Sequence, residues 1–210
     1  MDQVVTDFLI ALHFSCITYL GLIALFYFSL GLRNLARSAL APLTETQQTD
    51  DVSIAVPVHH EGETVLDGIQ TLIDQDHPGL IHIYVLVKDE QDTSYAPILN
   101  HFGKDEPSHE KGLLLYESQS RRVVLRKMGV APKREKINSL LQEADTPYFA
   151  ILDADHRVGT NWISSSLSLF KDNVVAVQAK RCSLATDNLF KLWDSTQNHV
   201  GNECFNDFLR

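Results

Sequence analysis

The sequence PYFAILDADHRV, residues 147–158, decides how the rest of the chain is interpreted. Its apolar run at 148–152 follows a proline and predicts a β-strand buried on both faces, as in a parallel sheet. Two aspartates, Asp153 and Asp155, come directly after this run. Because open α/β sheets bind ligands at the carboxyl ends of their strands, we expect both carboxylates to lie at a ligand-binding edge.

The spacing of Asp153 and Asp155 suits a metal ion. Side chains two residues apart on an extended segment share one side, so the two carboxylates can converge. Hard oxygen ligands favour Mg²⁺ or Mn²⁺, particularly when substrate phosphates complete the coordination shell. The alternative is a plain acidic turn, since aspartate is common where a strand enters a loop. The motif alone leaves both interpretations open.

The composition limits the classes of protein to consider. The 210 residues carry a formal net charge of −9, and 44% of them are hydrophobic. These values argue against a disordered chain and against a nucleic-acid-binding surface. An acidic protein that handles an anionic substrate needs local cations or a metal ion. Cys16, Cys182 and Cys204 form neither a zinc pattern nor a disulfide framework, which fits a reducing compartment.

Residues 1–37 are predicted to form an N-terminal membrane anchor. The uncharged apolar run at 8–32 is long enough to cross a bilayer core of about 30 Å as a helix. Aspartates precede the run, whereas Arg33 and Arg37 follow it, so the positive-inside rule places the following domain on the cytoplasmic side of an inner or plasma membrane. A cleaved signal peptide requires a cationic start and a shorter apolar run, and neither is present.

The remaining chain alternates strands with helices after a polar linker at 38–51. The soluble domain, residues 52–210, has predicted strands at 52–57, 80–87, 122–126, 148–152 and 173–179. Its predicted helices lie at 63–75, 92–102 and 133–144, with another that begins at residue 159 or 160. Residues 103–112 are predicted to be a surface loop, and 187–210 show a loose helical period. The alternation predicts an α/β fold with a mostly parallel sheet flanked by helices.

Apolar residues at helical spacing predict which face of three helices is buried. The predicted buried residues are Val65, Leu66, Ile69, Leu72 and Ile73 in the first, Ile137, Leu140, Leu141 and Ala144 in the second, and Ile163, Leu167 and Phe170 in the third.

Five short motifs, taken in order, resemble the family two glycosyltransferases. They are IAVP at 54–57, HE at 60–61, LVKD at 86–89, Lys133 with Asn138, and LDADH at 152–156. The last is most similar to the membrane-bound branch that includes cellulose synthase. The resemblance covers about residues 52–179 and implies a GT-A fold, which is a Rossmann-like sheet.

The resemblance also implies a site for a nucleoside diphosphate sugar, usually a UDP-sugar. Asp89 would bind the base or ribose, and Glu61 would support the same nucleoside site. Lys133 would lie near the nucleotide, while Asn138 would help to hold that loop and helix. Two positions depart from the family pattern, because Lys88 replaces an aspartate and His60 replaces an asparagine.

The two aspartates of the LDADH motif gain specific roles from the resemblance. Asp153 would contact the ribose or sugar side of the donor, and Asp155 the metal and diphosphate. The implied activity is metal-assisted, inverting transfer of a sugar to a polysaccharide or lipid acceptor at the membrane. The family's catalytic base is an aspartate further downstream, which we expect beyond Arg210. The chain would then be the N-terminal part of a synthase, unable to complete transfer alone.

Two other functions are compatible with parts of the sequence. One is a truncated or degenerate module that binds a nucleotide or partner without turnover. The other is a sugar nucleotidyltransferase, but its glycine-rich signature should follow the first strand, where this chain has VHHEG at 58–62. His59, His60 and His156 lack regular metal-ligand spacing, and we interpret them as loop histidines.

Overall fold

The computed structural model describes residues 3–40, 48–103, 112–170, 173–179 and 188. The chain divides into two compact units, Met1–Leu43 with Gln178–Arg210, and Thr44–Val177. Half of the predicted linker, most of the loop at 103–112 and nearly all of the segment at 187–210 lie outside the described residues.

Helix α1, Gln3–Leu40, contains the predicted membrane span. Its segment Gln3–Ser29 has a mean hydropathy of 2.1, and none of it is buried. The hydroxyls of Ser15 and Thr18 each donate a hydrogen bond of 2.8 Å to the carbonyl four residues earlier. These bonds satisfy polar groups within an otherwise apolar helix. By length and composition, α1 is able to cross a membrane.

The described residues of the second unit form a mixed five-stranded sheet and four helices. The strands are β1 Val52–Pro57, β2 Ile81–Val87, β3 Leu113–Glu117, β4 Arg121–Lys127 and β5 Tyr148–Ile151. The helices are α2 Thr64–Ile73, α3 Tyr95–Phe102, α4 Lys133–Glu143 and α5 Trp162–Leu167. The strand order is β3-β4-β2-β1-β5, and every pair is parallel except β3 with β4. This arrangement confirms the predicted α/β class.

The strand order changes direction at β1. The chain builds outward from β1 through β2 to β4 and then returns to place β5 on the opposite side of β1. Crossovers on the two sides of such a point leave an opening at the carboxyl ends of the strands. The loops that follow β1 and β5 therefore flank the expected ligand position.

Side-chain alternation along the strands divides the core into two layers. Ile54, Val56 and Val85 pack with α2, α3 and α5 on one face of the sheet. Ala55 and Leu86 pack with Leu140 of α4 on the other. The predicted inward faces of α2 and α5 are confirmed, since their apolar residues are buried or packed against the first layer.

The predicted face of α4 is partly wrong. Leu140 is buried and Ile137 packs beside it, but Leu141 is 50% exposed and Lys136 is buried in its place. The stripe that faces the sheet therefore runs through Lys136 rather than Leu141. The aliphatic stem of a lysine can cover apolar surface, which is why the burial of Lys136 is tolerated.

Three strand predictions also require correction. β3 was not predicted, because LLLYE at 113–117 becomes a strand by pairing with β4, with a register irregularity between Leu114 and Tyr116. β5 is not buried on both faces, since Ile151 is 50% exposed. It pairs with β1 alone among the described strands, which makes it an edge strand of the described sheet. The predicted strand at 173–179 is not formed, and Val175 is 92% exposed. Apolar composition favours strands, but only a pairing partner satisfies their backbone groups.

Candidate functional site

The loop after β5 presents its two aspartates to solvent. The Leu152 N–H donates to the Ala55 carbonyl at 3.0 Å, which extends the pairing with β1 past the end of β5. Leu152 and Ala154 are buried, whereas the side chains of Asp153 and Asp155 are 30% and 60% exposed. The buried residues alternate with the aspartates, so the apolar members anchor the loop while both carboxylates stay accessible.

Helix α2 holds this loop by close backbone contact. A Cβ atom on Gly68 would lie 2.8 Å from the carbonyl oxygen of His156, closer than real contacts allow, so the position requires glycine. The Thr71 hydroxyl accepts the Val158 N–H at 3.3 Å, and Arg157 forms an ion pair with Asp67. The segment that carries Asp155 is therefore fixed against α2.

Gln75, just after α2, secures the continuation of the loop. Its buried side-chain amide donates to the carbonyls of Thr71 at 2.9 Å and Gly159 at 2.7 Å, and its oxygen accepts the Ile163 N–H at 3.0 Å. This clamp connects α2 to the start of α5. The sequence gives no local signal for it, because Gly159 and Ile163 lie more than 80 residues from Gln75.

Each aspartate of the motif has a basic neighbour. Lys133, the first residue of α4, forms an ion pair with Asp153. The Asp155 carboxylate lies 2.7 Å from Nδ1 of His156. Two accessible carboxylates offer the hard oxygen donors that Mg²⁺ and Mn²⁺ prefer, so the residues present fit such an ion.

Asp92 joins the loop after β1 to the loop after β2. Its carboxylate accepts the backbone N–H of His60 at 3.2 Å and that of Ser94 at 3.0 Å, and the residue is only 3% exposed. Burial by itself would raise the pKa of Asp92, but the N–H donors of Ser94 and His60 outweigh it and lower this pKa below its ordinary value. Asp92 is therefore a carboxylate at neutral pH. The predicted helix at 92–102 begins only at Tyr95, which leaves Asp92 in the preceding turn.

His60 adopts an unusual backbone conformation in this connection. Its φ is +59°, a left-handed value that is uncommon for residues other than glycine. With His59 and Asp92 it forms a group that could hold a metal ion, since one ligand atom from each lies within 4.8 Å of the others. The sequence did not indicate this group, because Asp92 reaches the histidines only after the fold brings two loops together.

The other predicted residues occupy the same edge of the sheet or its neighbouring helix. Glu61 follows β1 and Asp89 follows β2, where the Asp89 carboxylate accepts the Gln91 N–H at 2.9 Å and lies 3.5 Å from the Lys88 ammonium. Asn138 lies in the second turn of α4 and is exposed. Within the part of the chain that is described, no hydrogen bond connects Asn138 to the other predicted site residues.

The chain is similar to a known protein family and to solved structures. The model of the family "Glycosyl transferase family 2" matches residues 53–205. No curated protein matches the chain. Among solved structures, the mannosyltransferase PcManGT from Pyrobaculum calidifontis in complex with GDP-Man and Mn²⁺ has a TM-score of 0.48 and 16% identity, covering 73% of this chain and 43% of that chain. S. aureus TarS 1-349 has a TM-score of 0.41 and 14% identity, with coverages of 56% and 31%. The chain thus spans less than half the length of either.

Proposed function

The chain belongs to glycosyl transferase family 2, and on that premise we propose that it transfers a sugar from a nucleoside diphosphate sugar to an acceptor. The donor we propose is UDP-linked, and the transfer is inverting. The observation that supports the proposal is the strand order, in which β5 pairs with β1 on the side opposite β2, so that Asp153 and Asp155 follow a strand adjacent to the one that Glu61 follows. We further assign the chain to the branch that includes cellulose synthase, because LDADH at 152–156 has that form.

The proposed role of the two aspartates is to hold Mg²⁺ or Mn²⁺ at the diphosphate. Such an ion, when bound, neutralises the charge that develops on the departing diphosphate. Asp155 is the more exposed of the pair and is assigned to the metal and diphosphate. Asp153 is assigned both to the metal and to the ribose or sugar side of the donor. Lys133 contributes positive charge at the same place, since its ammonium already reaches Asp153.

The nucleoside is assigned to the loops after β1 and β2. Glu61 and Asp89 follow neighbouring parallel strands, so their carboxylates are available on one edge of the sheet. Asn138 is assigned to holding α4 and its preceding loop. No residue of this chain is assigned as the catalytic base.

The acceptor we propose is a lipid or a growing polysaccharide. This choice rests on α1, whose length and composition suit a membrane anchor. The positive-inside rule, applied to Arg33 and Arg37, supports a cytoplasmic position for the following domain. A covalent anchor would raise the local concentration of membrane-bound acceptors around the domain.

Calorimetry of UDP binding tests the donor and metal assignments together. We expect Mn²⁺ to strengthen UDP binding to the full chain in detergent. Asp155→Asn should weaken that metal-assisted component by at least about 10- to 100-fold, the loss typical of perturbed metal sites. Glu63→Gln is the matched control, since it removes an exposed carboxylate at the start of α2 and should leave the metal dependence intact.

The outcomes separate the proposal from its rivals. Equal UDP affinity with and without Mn²⁺ in all three proteins would refute the metal site. A parallel assay of sugar transfer, which only a transferase can pass, separates the proposed activity from a nucleotide-binding module. A parallel titration with GDP tests the preference for uracil as the base.

A further inference from the structure

A second group of metal-ligating side chains lies at the loop after β1 and includes neither aspartate of the LDADH motif. His59 and His60 are exposed neighbours whose rings lie 4.7 Å apart, centroid to centroid. The Asp92 carboxylate is buried and belongs to the loop after β2. One ligand atom from each residue lies within 4.8 Å of the others.

The buried carboxylate provides a fixed point for such a site. Among the hydrogen bonds of the described residues, Asp92 Oδ1 accepts the N–H groups of His60 and Ser94, and Oδ2 accepts a longer contact of 3.3 Å from His60. Oδ2 therefore retains capacity to accept a further partner. Nothing in the described residues pairs this buried negative charge with a lysine or arginine, so a cation held by the two imidazoles would compensate it.

The histidines need only small movements to complete a coordination sphere. Ligand atoms around a tetrahedral zinc ion at about 2.1 Å lie roughly 3.4 Å from one another. Exposed imidazoles can close the remaining gap by rotating about their side-chain torsions. His60 Nδ1 now accepts a long contact of 3.4 Å from the Thr93 N–H, and exchanging that contact for a metal bond loses little.

We propose that His59, His60 and Asp92 bind a borderline transition-metal ion of the Zn²⁺ or Co²⁺ type. Two imidazoles with one carboxylate form a softer ligand set than the oxygen-only pair at Asp153 and Asp155, and therefore select a different cation. The site uses none of the residues assigned to the proposed transfer. It would pin the loop after β1 to the loop after β2, and so fix the positions of Glu61 and Asp89, which lie in those loops.

Cobalt titration of the metal-free full chain in detergent tests this proposal. Co²⁺ is the probe, because its visible absorption reports nitrogen ligation and low coordination number directly. We expect a saturable absorption band at one equivalent, displaced by Zn²⁺. His60→Asn keeps a residue that tolerates the left-handed backbone but removes the imidazole, and His59→Ala removes the other ring. Each should weaken Co²⁺ binding by about 100-fold or more.

Two control variants separate this site from its surroundings. Asp155→Asn should leave the cobalt band unchanged, which distinguishes the proposal from the proposed donor site. His101→Ala, an exposed histidine on α3, should also have no effect. Circular dichroism of every variant is measured to check that it is folded. The proposal is overturned if the wild-type chain shows no band, if His60→Asn keeps full affinity, or if Asp155→Asn abolishes binding.

Discussion

Arg121, the first residue of β4, organises the end of α2 through its buried side chain. The residue is 6% exposed, and its guanidinium donates to the carbonyls of Ile73 at 3.1 Å, Gln75 at 2.5 Å, His77 at 2.8 Å, Gly79 at 3.2 Å and Ser120 at 2.6 Å. Burial lowers the pKa of Arg121, but a guanidinium stays charged at neutral pH. One side chain thus accepts no bond but donates to four carbonyls of the segment 73–79, which also contains Gln75.

Replacing Arg121 with methionine keeps much of its apolar stem and removes every donor. Four of the five accepting carbonyls belong to the distant segment 73–79, and hydrogen bonds to a charged donor contribute about 1.5–3 kcal/mol each. Losing these four hydrogen bonds would cost about 6–12 kcal/mol in total. The variant also avoids burying a charge, which offsets several kcal/mol of that loss. We expect a net destabilisation of about 3–5 kcal/mol, a large part of the ~5–15 kcal/mol of a typical domain. Arg121→Lys should fall between the two proteins.

Urea unfolding of the full chain in detergent, followed by tryptophan fluorescence, measures this free energy. Arg122→Met is the matched control on the same strand, since Arg122 is partly exposed and forms an ion pair of 2.6 Å with Glu117. That pair should contribute about 0–1 kcal/mol. A loss below about 1 kcal/mol in Arg121→Met, or an equal loss in Arg122→Met, would contradict the role assigned to the buried guanidinium.

Two further predictions concern the loops of the candidate site. Gly68→Ala should destabilise the domain by about 1–3 kcal/mol and weaken Mn²⁺-dependent UDP binding, because its Cβ would push the loop at His156. Gly21→Ala is the control, since a Cβ there meets nothing beyond the nearby backbone of its own helix; it should change stability by no more than about 1 kcal/mol in the same urea and calorimetry measurements. Asp92 has a lowered pKa in the folded state, so its contribution to stability is complete above the unfolded value of about 3.9 and is lost as the pH falls from there through the folded pKa. Urea midpoints of the metal-free protein, measured stepwise from neutral to acid pH, should therefore fall less steeply with pH for Asp92→Asn than for the wild-type chain. Equal slopes in the two proteins would contradict a lowered pKa at Asp92.

Local patterns in the sequence were sufficient for most of the elements. The strand predicted at 52–57 is observed with the same bounds as β1, and the helices α2 and α4 begin or end within two residues of their predictions. These segments combine a regular apolar period with turn residues at their ends, and both signals act over a few neighbouring residues. The position of Asp153 and Asp155 directly after a strand follows from the same local information.

Contacts between distant residues decided what the sequence alone could not. The strand order, the formation of β3 and the exposure of β5 depend on which strands pair, and the burial of Lys136 rather than Leu141 depends on how α4 lies on the sheet. His60 meets Asp92 across 32 residues, and Gln75 meets Ile163 across 88. Such pairs leave no periodic trace in the sequence, because their energy arises only when folding brings separate loops together. The sequence therefore determined most of the elements and the acidic motif, whereas the tertiary structure decided which further segment pairs as a strand, how these loops are held and which side chains they bring into contact.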